Sequence, residues 1–197
     1  STHAGEEAML ASIYFRLRQR FPGLFLIVVP RHFERCREAG REMAARGLKF
    51  ALRSKIHGQT QYAPGELHGL LVNTTGELRC FYELATVVFV GKSLAAKGGQ
   101  NPIEPAALGK PVVFGPNMQN FTDIVELFRA RDAVVQVRDA AELEAAFAEL
   151  LFNQSRRDQL GRNAFEVVRE NLGAADRTVE MILKGVEKSG IYMAPKR

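Results

Sequence analysis

Apolar positions in the first sixty residues alternate between two spacings. Met9, Ile13 and Leu17 recur at helical intervals, which predicts a helix over 6–20 stopped by Pro22-Gly23. The unbroken run from Leu24 to Val29 reads as a strand buried on both faces. A second helix over 32–46 ends at Gly47, and a second strand covers 48–52. The polar, turn-rich stretch from Ser54 to Pro64 is a loop. The rhythm then repeats, with strands near 69–72, 86–90, 111–114 and 133–137, each followed by a helical pattern. Six strands joined by crossovers pair in parallel, and a parallel sheet needs cover on both faces. The expected fold class is therefore α/β, a single Rossmann-like, doubly wound parallel sheet of about six strands with a helical C-terminal extension. In that extension Asp139 caps a helix over 140–152 and Ser155 caps one over 156–171. Gly173 breaks the second helix before a third runs to about Lys188. One domain over 1–190 and a frayed tail over 191–197 follow.

Composition narrows the function more than the fold. At 197 residues and 46% hydrophobic, the chain has one substantial core. Its net charge of +5 is concentrated near the start, where residues 1–60 carry eleven Lys and Arg against five acids. Such an excess suits phosphates, an anionic sugar or an anionic membrane face. It has neither interleaved aromatics nor a basic helical stripe, so nucleic acid is not the expected partner. Solvated helix faces around Arg16, Arg20, Arg35 and Arg41 account for most of the charge. Cys36 and Cys80 are too few and too distant for a disulfide framework or thiolate metal site, and a reducing cytoplasm fits them. Apolar runs fall far below the roughly 20 residues that cross a bilayer, so the chain as given is expected to be soluble. It opens on Ser1-Thr2-His3-Ala4-Gly5-Glu6-Glu7 without an initiating Met and reads as a piece of a longer protein.

In an open parallel sheet, ligands bind beyond the carboxyl ends of the strands, and the polar, glycine-bearing loops fall there. Gly98 to Pro105 is the sharpest of them. Gly98 and Gly99 let backbone N–H groups approach a phosphate, and a helix N-terminus follows. Asn101 as N-cap with Pro102 at the first helical position is also ordinary capping. Glu104 either completes that capping pattern or accepts hydrogen bonds from two ribose hydroxyls. Arg31, one residue beyond a buried strand, either grips an anion bidentately or caps the sheet edge. His32 reads as a helix-start residue. Gly76-Glu77-Leu78 opens another helix, where amides meet a base or phosphate, or where Thr75 caps an ordinary turn and Glu77 complements its dipole. No Walker A loop and no Gly-x-Gly-x-x-Gly fingerprint follows the first strand, which argues against a P-loop NTPase and a nicotinamide dehydrogenase. No spacing of His, Cys or carboxylates suggests a metal site.

Taken in order, Ser1 to Glu7, Val29-Pro30-Arg31-His32-Phe33-Glu34-Arg35, Thr74-Thr75-Gly76-Glu77-Leu78, Phe89-Val90-Gly91, Gly98-Gly99-Gln100-Asn101-Pro102-Ile103-Glu104-Pro105-Ala106 and Gly115-Pro116 with Asn120-Phe121 resemble the 3-deoxy-D-manno-octulosonic acid (Kdo) transferases of lipopolysaccharide assembly. The resemblance spans residues 1 to about 152. It implies a GT-B glycosyltransferase, whose N-terminal domain meets the membrane and the lipid A precursor and whose C-terminal domain binds the donor CMP-Kdo; this chain resembles the second. It further implies that Arg31 engages the donor's phosphate or carboxylate, that Thr75, Gly76 and Leu78 line the cytidine site, and that Asn101 and Glu104 hold phosphate and ribose. The family's general base is a glutamate of the N-terminal domain, so the resemblance places no catalytic residue in this chain and needs no cofactor or metal. The implied location of the longer protein is the cytoplasmic face of the inner membrane.

The sequence departs from the family pattern at Asn73-Thr74-Thr75, where Asp-Thr-Met is usual, at Lys97 and Gln100, where histidines are frequent, and at Lys92, where Gly is frequent. Two other readings compete: the donor domain of another GT-B enzyme, a UDP-sugar transferase or a UDP-GlcNAc 2-epimerase relative, and a noncatalytic nucleotide-sugar-binding module.

Overall fold

The computed structural model describes residues 1–171; the helix expected toward Lys188 and the tail over 191–197 lie outside them. Six three-residue strands lie where the pattern predicts, with an α-helix between successive strands except the second and third, which the polar loop connects. They are β1 (Leu26–Val28), β2 (Phe50–Leu52), β3 (Gly69–Leu71), β4 (Val88–Val90), β5 (Val112–Phe114) and β6 (Val134–Gln136). The helices are α1 (Glu6–Arg18), α2 (Cys36–Ala45), α3 (Leu78–Leu84), α4 (Ile103–Ala107), α5 (Thr122–Ala130), α6 (Ala140–Phe152) and α7 (Gln154–Asn171). Asp139 caps α6 as expected, its carboxylate accepting from the amides of Ala141 and Glu142 at 2.9 Å. The cap of α7 is Asn153 rather than Ser155: the Asn153 side chain accepts from Arg156 N at 3.0 Å, and the helix is already under way at Gln154. Likewise Glu77, not Thr75, is the residue before α3.

All strand pairs are parallel, and the α/β class holds. The strands do not form one continuous sheet, however. They form two, in the orders β1-β3-β2 and β4-β5-β6, and no strand pair among the described residues joins β1 to β4. A cavity of about 710 Å³ separates these two edges. It is walled by Leu24 to Ile27 and Val29 on one side and Val87 to Phe89 on the other.

The halves are bridged by helices. Along α1, Leu10, Ile13 and Leu17 pack with Val113, Leu143, Leu150 and Leu160, over the β4-β5-β6 half. Ala11 and Tyr14 pack with Val28, Ala39, Met43 and Leu71, over the other half. On the opposite face Tyr82 of α3 joins the core beneath β4 and β5, while Phe81 packs with Leu70 and Val72. α7 closes the second half by pressing on α4, with Ala164, Val167 and Val168 in the same core as Phe114 and Phe128.

That last contact is unusually close. A Cβ at Gly161 of α7 sits 2.0 Å from Gly109 O, so only glycine lets the helix approach the turn after α4. Gly161→Ala is expected to destabilise the fold by about 1–3 kcal/mol, read as a fall in unfolding midpoint. Gly23→Ala, with nothing within 4 Å of its added Cβ, should leave the midpoint within about 0.5 kcal/mol of the parent.

Two histidines generate a second prediction. Burial holds His3 and His68 below their ordinary value. The unfolded chain therefore binds protons that the folded chain does not as pH falls through the ordinary histidine range, and stability falls with it. Denaturant titrations from about pH 5.5 to 8.5 should show stability rising with pH at the acid end, and replacing both histidines by Gln should flatten that rise.

Candidate functional site

The first seven residues organise the carboxyl-terminal ends of the strands. Thr2 pairs in parallel with Pro30: Thr2 N donates to Val29 O and Arg31 N donates to Thr2 O, both at 3.0 Å. Gly5, at φ +85°, turns the chain into α1. The first two side chains of that helix then run inward, and both carboxylates are fully buried. Glu6 accepts from the amides of His3 and Lys92 at 2.9 Å and from that of Ser93 at 3.3 Å. Glu7 accepts from Thr2 Oγ1 at 2.9 Å and from the Arg35 guanidinium at 3.0 Å. Buried carboxylates are tolerable only when so partnered. Arg35 is accordingly no solvated helix face but the counter-ion of Glu7, with its side chain only 20% exposed.

Above this hub the candidate residues gather. Arg31 and His32 follow β1, both exposed, and the Arg31 side chain has no hydrogen-bond or ion-pair partner among the described residues. His3 meets Gln100 at 3.0 Å and stacks edge-on to His32 with ring centroids 6.3 Å apart. Glu104 is exposed on α4 and is steadied by Asn101, whose Nδ2 donates to it at 3.1 Å. The same Asn101 accepts from Ile103 N at 2.9 Å, although Pro102, not Asn101, is the residue before α4. Glu104 adds to the burial that pushes the Tyr82 phenol up to about 12. Arg31 thus follows β1 in one half of the molecule and Glu104 sits on α4 in the other, each exposed beyond the strand ends.

The glycines behave differently from the phosphate cradle expected of them. Gly98 (φ +109°) and Gly99 (φ +72°) adopt left-handed conformations, but their amides already have protein acceptors. Gly98 N donates to Gln119 Oε1 at 2.8 Å and Gly99 N donates to Lys92 O at 3.2 Å. A Cβ on Gly99 would sit 2.5 Å from Met118 Sδ. The pair lets the β4 and β5 loops close on each other and presents the next residues, Gln100 and Asn101, outward. α4, at five residues, is also too short to carry much of a macrodipole. Ser93 completes the lock, donating to Val90 O at 2.6 Å and accepting from Gly115 N at 2.9 Å.

The loop after β3 forms the other wall. Thr75 and Gly76 are exposed, Gly76 at φ +83°, and Leu78 is half-buried. Glu77 faces no solvent helix dipole. It is hydrogen-bonded by Thr74 Oγ1 and by Arg53 at 2.7 and 3.0 Å, which hold it below the ordinary carboxylate range. Asn73 exchanges two hydrogen bonds with Ser54, accepting from its amide at 3.0 Å and donating to its hydroxyl at 2.8 Å. These two ties anchor the loops after β2 and β3 together. Arg53 and the buried pair Glu6 and Glu7 were not singled out by local sequence patterns, since their partners lie on distant loops.

No family profile matches the chain, but individual proteins do. It is 33% identical over 191 residues to the 3-deoxy-D-manno-octulosonic acid transferase of Haemophilus influenzae, covering 96% of this chain and 44% of that protein. It is 34% identical over 186 residues to the transferase of the same name from Bordetella pertussis, covering 92% and 42%. The crystal structure of the C-terminal CMP-Kdo binding domain of WaaA from Acinetobacter baumannii superimposes with a TM-score of 0.77 at 33% identity, covering 85% of this chain and 86% of that one. The chain thus spans less than half the length of these curated relatives and 86% of one solved C-terminal domain. By fold and by sequence, the chain belongs to the 3-deoxy-D-manno-octulosonic acid transferase family.

Proposed function

We propose that the chain is the donor-binding domain of a transferase that moves Kdo from CMP-Kdo to the lipid A precursor, with the acceptor-binding half and the general base supplied by the rest of a longer protein. The observation that carries this reading is an exposed Arg31 without a side-chain partner among the described residues, following β1, and an exposed Glu104 oriented by Asn101 on α4, both beyond the strand ends. The C-terminal architecture shared with a CMP-Kdo binding domain supports it.

The chemistry assigns each group a role. A guanidinium makes charge-assisted, bidentate contacts to a phosphate or carboxylate, so Arg31 receives the donor's anionic groups. Glu104, oriented by Asn101, accepts hydrogen bonds from the ribose hydroxyls. Thr75, Gly76 and Leu78 face the cytosine. Glu77, already engaged by Arg53 and Thr74, acts by holding that loop in shape. In the transfer, the bond between the anomeric carbon and the donor phosphate breaks with its electron pair leaving on CMP. The acceptor hydroxyl oxygen bonds to the anomeric carbon of an oxocarbenium-like centre, and its proton passes to the base on the other domain. Arg31 stabilises the charge that develops on the departing phosphate. The same reading places the longer protein at the cytoplasmic face of the inner membrane; no helix among the described residues is long and apolar enough to cross a bilayer.

Calorimetric titration tests the binding half of this proposal. CMP is expected to bind at about the millimolar level, roughly −4 kcal/mol, and better than UMP or UDP. Arg31→Ala and Glu104→Ala should each weaken it by about tenfold or more, the worth of one charge-assisted hydrogen bond. A preference for uridine nucleotides, or variants that bind as the parent does, overturns the reading. Incubated with CMP-Kdo and acceptor, the chain alone should transfer no sugar; transfer at an enzyme's rate overturns the assignment of the base to another domain.

A further inference from the structure

Lys92, just beyond the end of β4, holds its backbone in the left-handed region at φ +57°. There a side chain crowds its own backbone, whereas glycine sits without strain. Asp132 is the other non-glycine residue at positive φ among the described residues. It belongs to a type that tolerates this conformation, and its carboxylate is paired with Arg156. Lys92 has neither excuse. Its backbone is held from both sides: Lys92 N donates to the fully buried Glu6 at 2.9 Å, and Lys92 O accepts from Gly99 N at 3.2 Å. Strain persists only where surroundings fix it in this way, and it gathers at functional positions.

The side chain is as unusual as the backbone. Lys92 is half-buried, and its ammonium lies over Gly98: a Cβ on Gly98 would stand 3.6 Å from Lys92 Nζ and 2.9 Å from Asn120 Nδ2. No carboxylate is among the three atoms nearest to that point, which are these two nitrogens and Asn120 Cγ. Two donors, one from the loop after β4 and one from the loop after β5, thus converge where a residue without a side chain leaves room. Neither nitrogen has a hydrogen-bond or ion-pair partner among the described residues. The other half-buried cations beyond the strand ends are satisfied, Arg35 by Glu7 and Arg53 by Glu77. Lys97, in the same loop as Lys92, is simply exposed. Drawing an ammonium partly out of water without a counter-charge is unfavourable, so Lys92 combines two local penalties at one residue of the candidate site.

We infer that Lys92 and Asn120 form an oxyanion seat over Gly98, which shares the anionic groups of the nucleotide-sugar donor with Arg31. CMP-Kdo carries a phosphate and a carboxylate, both attached at the anomeric carbon, and two anions so close call for more than one cation. Arg31 comes from the loop after β1 and Lys92 from the loop after β4. An ammonium is a point charge that accepts either oxyanion, and the Asn120 amide adds a directed donor beside it. The inference rests on the reading of the strand ends as the site of such a donor and adds the residues that hold its second charge.

Four variants test it by thermal unfolding and by calorimetric titration with CMP and with CMP-Kdo. Lys92→Gly removes the ammonium and the strain together, and Lys92→Asn removes the charge with a residue that tolerates the left-handed turn. Asn120→Ala removes the second donor, and Lys97→Ala is the exposed control. Lys92→Gly should unfold at or above the parent's midpoint, so that weaker binding is not a folding defect. Both Lys92 variants should weaken CMP-Kdo binding by about tenfold and Asn120→Ala by about threefold, with Lys97→Ala within about twofold of the parent. An equal loss with CMP assigns the seat to the phosphate, and a loss confined to CMP-Kdo assigns it to the carboxylate. The inference is overturned if the Lys92 variants bind both ligands as the parent does, or if Lys97→Ala weakens binding as much, since net charge alone then explains the effect. A parent that prefers UMP overturns the choice of donor only, and the same Lys92 losses measured on UMP still support the seat. A parent that binds no nucleotide overturns both.

Discussion

Two buried carboxylates at the start of α1 hold the site together. Acids in a helix's first turn are usual complements to its dipole, but Glu6 and Glu7 are both fully buried and reach beyond their own helix. Glu6 takes the amides of Lys92 and Ser93, on the loop after β4, 86 and 87 residues away. Glu7 takes Arg35 and Thr2, beside the end of β1. One helix turn therefore ties the two half-sheets to each other at the level where a ligand would lie. Loss of either partner would leave a buried charge uncompensated, an expensive state, so the geometry of the strand ends is fixed before any ligand arrives.

That arrangement fixes the strand ends beyond which Arg31 and Glu104 lie, one in each half. Arg31 is placed by its amide on Thr2 O, and Glu104 by Asn101. The glycines contribute through packing. Gly98 and Gly99 give up their amides to Gln119 and Lys92 and so let the loops after β4 and β5 meet closely. The departures from the family pattern sit in this same shell. Gln100 contacts His3, Lys92 bonds to Glu6 through its backbone, and Asn73 pairs with Ser54.

Element order was legible because hydrophobic spacing reports which face of each segment is buried, and all six strands and the Asp139 cap lie where that spacing puts them. The position of the candidate loops was legible too, since chain topology places Arg31, Thr75 to Leu78 and Gly98 to Glu104 beyond strand ends. What local pattern could not supply was any contact set by distant chain. Glu6 and Glu7 look like ordinary first-turn acids, Arg35 like a surface charge, and Glu77 like a dipole partner until Arg53 is seen beside it. The choice of Asn153 over Ser155 as a cap is a shift of the helix start that neighbouring polar residues leave ambiguous. The divided sheet was illegible for a different reason: spacing tells that β1 and β4 are buried strands, but not what lies between them.

The central claim is that a cytidine nucleotide lies across the strand ends between Arg31 and Glu104. A crystal structure of the chain grown with saturating CMP tests it directly. The account predicts the phosphate against the Arg31 guanidinium, the ribose hydroxyls on the Glu104 carboxylate and the base over Thr75 to Leu78. Nucleotide density confined to any other surface of the molecule, with Arg31 and Glu104 left free, would contradict it.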